Sequence, residues 1–139
     1  MPYKFLEHTA DVKIEVSEKT LEKAFSTSAM AVKEVIAEQI RVAPKIKKEI
    51  SIDGDDIESL LYNFLEEFLY LLDAEGFLLS KPPIVKIEKT KGRLHLTAKL
   101  IGDSSKNYIF TNDVKAITYN EMSIKEAKDK TTIVFVLDV

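Results

Sequence analysis

At 139 residues, with 45% hydrophobic and 31% charged side chains, the chain has enough material for one globular domain with a substantial core. A net charge of −3 leaves no basic excess for a direct, strong grip on nucleic acid. Cysteine is absent, which excludes disulfides, thiolate chemistry and cysteine-based zinc sites.

No linker or low-complexity stretch divides residues 1–139, so a single domain is expected. Tyr3 to Glu7 reads as a strand. Val12, Ile14 and Val16 alternate with Lys13, Glu15 and Ser17, the pattern of a half-buried strand. Thr20 offers an N-cap, and Leu21, Ala24, Phe25, Ser28, Val32, Val35 and Ile36 fall at helical spacing. Ile46 to Ile52 alternates again and ends at the Asp53-Gly54 turn signal. A second helix follows, with Asp55 as cap and Glu58 completing a capping box. Its apolar residues, from Ile57 to Leu72, cover more than one stripe, which suggests burial between a sheet and a second layer.

Gly76 ends that helix. Pro82-Pro83 leads into Val85 and Ile87, and a turn at Lys91-Gly92 opens a strand with Leu94, Leu96, Ala98 and Leu100 on one face. Ala116 to Ile124 and Thr131 to Leu137 complete the strands, the last apolar enough to lie centrally. Helices and strands are segregated and turns are short. The expected class is α+β, with mostly antiparallel sheets packed on two main helices. No apolar segment resembles a signal peptide or reaches membrane-spanning length, so no membrane association and a cytoplasmic location are expected.

Candidate chemistry gathers at the two ends of the chain. Asp11 follows the first strand, and Asp138 closes the last one beside Val139 and its terminal carboxylate. If the first and last strands are neighbours, these oxygens converge, and hard cations such as Ca²⁺ and Mg²⁺ favour such a set. A turn aspartate bonded to its own backbone and a frayed, solvated terminus are the plainer alternatives. His8 suits an orienting partner for Asp11 better than a direct ligand, and His95 reads as a surface residue. Lys115 at a strand entry reads as a solvated, edge-protecting lysine, though a point charge on a long stem also suits phosphate or carboxylate partners. Glu66, Glu67, Asp73 and Glu75 give the second helix an acidic face, solvated by default. Phosphate-binding glycine loops, a nucleophile elbow, a His-Glu-x-x-His motif and RNA-binding aromatic signatures are all missing.

Phe5-Leu6-Glu7-His8-Thr9-Ala10-Asp11 resembles the opening signature of the archease family. In family order there follow Thr20-Leu21-Glu22-Lys23-Ala24-Phe25, Asp56-Ile57-Glu58-Ser59-Leu60-Leu61, Val114-Lys115-Ala116-Ile117-Thr118-Tyr119 and Leu137-Asp138-Val139. Relatives often carry Gly-Asp where this chain has Glu18-Lys19, and a Trp in the second helix that this chain lacks. The resemblance implies metal binding at Asp11, Asp138 and Val139, with Ca²⁺ first and Mg²⁺ or Mn²⁺ as alternatives, and a functional role for Lys115. It also implies an activator, not an enzyme: a protein cofactor of the tRNA-splicing RNA ligase that promotes transfer of GMP from GTP to the ligase and so its multiple turnover. A chaperone of RNA-modifying enzymes is a further role linked to the family. A stand-alone metal-dependent hydrolase is the competing class, and it lacks a convincing base and a substrate-pocket signature.

Overall fold

The computed structural model describes residues 2–6, 11–110 and 114–139. Chain order is β1 (Tyr3–Leu6), β2 (Val12–Glu18), α1 (Leu21–Ile36), β3 (Ile46–Gly54), α2 (Ile57–Glu75), β4 (Phe77–Leu79), β5 (Ile84–Thr90), β6 (Arg93–Ser104), a 3₁₀ turn at Ser105–Asn107, β7 (Ala116–Ala127) and β8 (Lys130–Asp138). One sheet runs β1-β2-β8-β7. The other runs β3-β6-β4, with β5 also pairing along β6. Every pairing is antiparallel, in agreement with the α+β class.

The helices form a layer between the two sheets. α1 packs on β2 and β8 on one side and on β5 on the other, while α2 packs on β7 and on β3 and β4. This explains the breadth of apolar positions on α2. Leu60, Leu61, Phe64 and Leu65 are fully buried because they face two sheets at once. Phe64 is the hinge of the aromatic core: its ring lies 5.7 Å from Phe25 on α1 and meets Phe68 edge-on at 5.0 Å.

Local signals set the helix ends, with one shift. Thr20 caps α1, its hydroxyl accepting from the Lys23 N–H at 3.1 Å. The cap of α2 is Asp56, not Asp55. The Asp56 carboxylate accepts from the Ser59 N–H at 2.7 Å, and the Asp56 N–H donates to the Ser59 hydroxyl at 3.1 Å. Serine closes this capping box with the reach glutamate usually supplies, and Asp55 instead pairs with Arg93 at 3.1 Å. Asp56→Ala should therefore cost about 1 kcal/mol, read as a lower urea midpoint with unchanged slope, whereas Asp55→Ala should change little. Gly76 ends α2 in the left-handed region, φ 61°, its N–H bonding back to Leu71 and Leu72.

β4 is absent from the periodicity reading, because three apolar residues carry no period. It fits beside β6 only because residue 102 is glycine: a Cβ there would collide with the Leu78 carbonyl and the Phe77 ring. Among the described residues two charged groups are buried with partners. Lys33 donates to the Ile40 carbonyl, and burial lowers its pKa. Asp103 accepts from the Tyr108 hydroxyl at 2.7 Å, the Ser104 N–H at 2.8 Å and the Asn107 amide at 3.2 Å, and the Tyr108 bond leads the forces that depress its pKa.

Candidate functional site

The apolar run Ile133–Leu137 makes β8 a buried interior strand, and its end becomes a meeting point for two neighbours. Val12 pairs with Leu137, so Asp11 and Asp138 follow one another on adjacent strands, which run about 4.8 Å apart. On the other flank Ala116 pairs with Asp138, and the Lys115 N–H donates to the Asp138 carbonyl at 2.8 Å. Asp11, Lys115, Asp138 and Val139 thus share one tip of the sheet. The strand responsible for the Asp11–Asp138 approach is the second, not the first: β1 lies at the edge, with β2 between it and β8. His8 lies outside the described residues.

The pleat decides which way these groups face. Leu137, Val12 and Ile117 point to the helix layer, so Asp138 belongs with Val136, Lys13 and Thr118 on the outer face. Asp138, Val139 and Lys115 are exposed and Asp11 is half-buried. Lys115 makes no ion pair with a described residue. Among the described residues no group of three or more His, Asp or Glu side chains is close enough to hold a metal ion. The carboxylates of Asp11 and Asp138 are hard donors of the kind Ca²⁺ and Mg²⁺ take, and they form only part of such an ion's six to eight oxygen shell.

Next to the tip is a feature that sequence reading did not single out. Thr118 pairs with Val136 but the next pair is Ser123 with Val134, so Tyr119, Asn120, Glu121 and Met122 together oppose Phe135. The resulting bulge is fastened on both faces. Outside, Glu121, at φ 60°, reaches over β8 to Lys13 on β2 at 3.0 Å, above the fully buried Val136. On the other side the Tyr119 ring stacks on Tyr62 of α2 at 4.3 Å and 6°. Burial raises both phenols' pKa, helped by the nearby charge of Glu66 at Tyr62 and of Asp56 at Tyr119, so both remain neutral hydroxyls near neutral pH. Bulges of this kind re-aim side chains beside sites. Nothing in the local sequence signals it, because no glycine marks the turn.

His95 is more than a plain surface residue. Its Nδ1 lies 2.5 Å from an Asp53 carboxylate oxygen, and that hydrogen bond is the main cause of the lowered Asp53 pKa. The pair stands on the far sheet, remote from the β8 tip. The acidic positions on α2 are partly buried at Glu66 and Glu67 and exposed at Asp73 and Glu75, with burial, then the Glu75 charge, raising the Glu67 pKa.

The model of the Archease protein family matches residues 3–139. A protein archease of Pyrobaculum neutrophilum is 39% identical over 140 residues, covering 99% of this chain and 95% of that protein. One of Pyrococcus furiosus is 41% identical over 125 residues, covering 88% and 87%. Among solved structures, protein 1598 of Methanobacterium thermoautotrophicum superposes with a TM-score of 0.85 at 32% identity, covering 99% of both chains. A Thermotoga maritima protein described as an archease and possible chaperone superposes with a TM-score of 0.62 at 19% identity, covering 98% and 96%, a likeness of fold.

Proposed function

The chain belongs to the archease family, and from that premise we propose that it is an activating partner of a tRNA-splicing RNA ligase, promoting GMP transfer from GTP to the ligase's active-site histidine and so its multiple turnover. What supports this reading is that strand pairing brings the backbones of Asp11, Lys115, Asp138 and Val139 to one tip, where Lys115 is exposed and makes no ion pair with a described residue. A tip of carboxylates with an exposed lysine beside them in the chain order of the sheet can be presented to another protein's active site. The net charge of −3 favours work through a protein over direct RNA binding.

Asp11, Asp138 and Val139 would hold a divalent cation, with His8 orienting Asp11. When bound, the cation offsets their mutual repulsion and offers a positive charge to phosphate. Lys115 contributes a second positive charge on a long stem, suited to a nucleotide phosphate or a carboxylate of the ligase. Its backbone bond to Asp138 fixes where that stem starts. The broader chaperone reading shares the need for a protein partner and differs in having no requirement for GTP.

The test is labelling of the ligase with radioactive GTP in the presence of substoichiometric amounts of this protein. Each molecule should activate many ligase molecules, and GTP turnover by this chain without the ligase would favour the hydrolase class instead. Asp11→Ala should weaken Ca²⁺ or Mg²⁺ binding in calorimetry and abolish activation. The half-exposed position at the start of β2 predicts that the fold survives. Unchanged binding of both ions would remove Asp11 from the metal site.

A further inference from the structure

The outer face of the β3-β6-β4 sheet, turned away from both helices and from the other sheet, carries a groove of about 530 Å³. Its apolar floor is Ile84, Pro82 and Ile101, and Ile84 is 69% exposed. Lys47, Lys81 and Lys99 stand around it, all exposed, and none makes an ion pair with a described residue. Lys48 also borders it but is committed to Glu75 at 2.6 Å. Glu49 is the one acidic residue in the lining. It stands opposite Lys99 in register, yet the two do not pair.

Edge protection accounts for Lys47, which lies on the edge strand β3. It does not account for Lys99, on the interior strand β6 between Glu49 and Ile84, nor for Lys81, which lies outside any strand. A chain of net charge −3 has therefore gathered uncompensated positive charge around an exposed isoleucine. We propose that this groove docks an acidic peptide segment of a partner protein, its carboxylates meeting Lys47, Lys81 and Lys99 and an apolar side chain lying on Ile84. Charge complementarity selects the sign of the partner. The lining selects its class: it holds no aromatic ring on which a base could stack and no arginine fork for phosphate, so single-stranded RNA gains only diffuse attraction there. The groove lies on the opposite sheet from the Asp11–Asp138 tip, so its occupant is bound independently of whatever the tip engages.

The experiment measures anisotropy of a fluorescein-labelled peptide alternating Asp and Leu, at low ionic strength, with the full chain. The wild type should bind it and should not bind the matching Lys-Leu peptide. The combined variant Lys47→Glu, Lys81→Glu, Lys99→Glu should weaken binding about tenfold or more and gain affinity for the Lys-Leu peptide. Ile84→Ser alone should weaken it a few-fold, which separates an apolar contact from pure charge attraction. Because these side chains are exposed, each variant should melt near the wild-type temperature. Equal binding by the wild type and the triple variant overturns the proposal. So does tighter binding of an oligouridylate that the triple variant loses, which would make the groove an RNA surface. A wild-type dimer in sedimentation that the triple variant dissolves would make a second copy of the chain the occupant.

Discussion

Lys115→Ala should collapse stimulation of ligase guanylylation under multiple turnover while the fold and divalent-cation binding persist. The side chain is exposed and makes no ion pair with a described residue, so its loss should shift stability by only a few tenths of a kcal/mol, as for most surface substitutions. The position of the backbone does not depend on the side chain, since the bond to the Asp138 carbonyl is made by the N–H. Removing a positive charge from the same strand tip should, if anything, tighten cation binding at Asp11 and Asp138. Lys115→Arg retains charge with a different shape and reach, and partial rescue is expected. Full activation by the alanine variant would make Lys115 an edge-protecting residue and nothing more.

Phe64→Ala should destabilise the chain by about 4 kcal/mol, the range for deleting a fully buried aromatic side chain. The cost is high because the ring joins two helices inside the middle layer, touching Phe25 on α1 and Phe68 on its own helix. Sheets on both sides limit how far the layer can collapse into the void. Thermal unfolding should fall by roughly 10–15 °C for a domain of this size. Phe64→Leu should recover most of the loss, since it restores bulk without the edge-on contact. A melting temperature within a degree or two of wild type in the alanine variant would show that the two-sided packing of α2 is loose.

Elements whose signals are local are legible in the order of the amino acids alone. Alternation in Val12–Val16 and Leu94–Leu100 set strands, helical spacing with a Thr20 cap set α1, and Gly76 ended α2. Each depends on neighbours a few residues away, so the pattern survives in one dimension. The broad apolar coverage of α2 announced a second layer for the same reason. Asp55 and Asp56 offer the same side chain, and only the position of Ser59 makes Asp56 the cap in place of the expected Asp55. Short β4 carried too few residues for a period.

Strand order and register, by contrast, join residues far apart in the chain. That β2, not β1, flanks β8, and so sets Asp11 beside Asp138, follows from strand order, and alternation carries no information about order. The Glu121–Lys13 bridge over Val136, the Asp53–His95 pair and the lysine groove around Ile84 join residues from separate parts of the chain. Register between strands is fixed by packing both sheets on the helix layer, where a slip of one residue would turn every buried side chain outward. Strand patterning names the residues available to a site, and the packed sheets choose which of them meet.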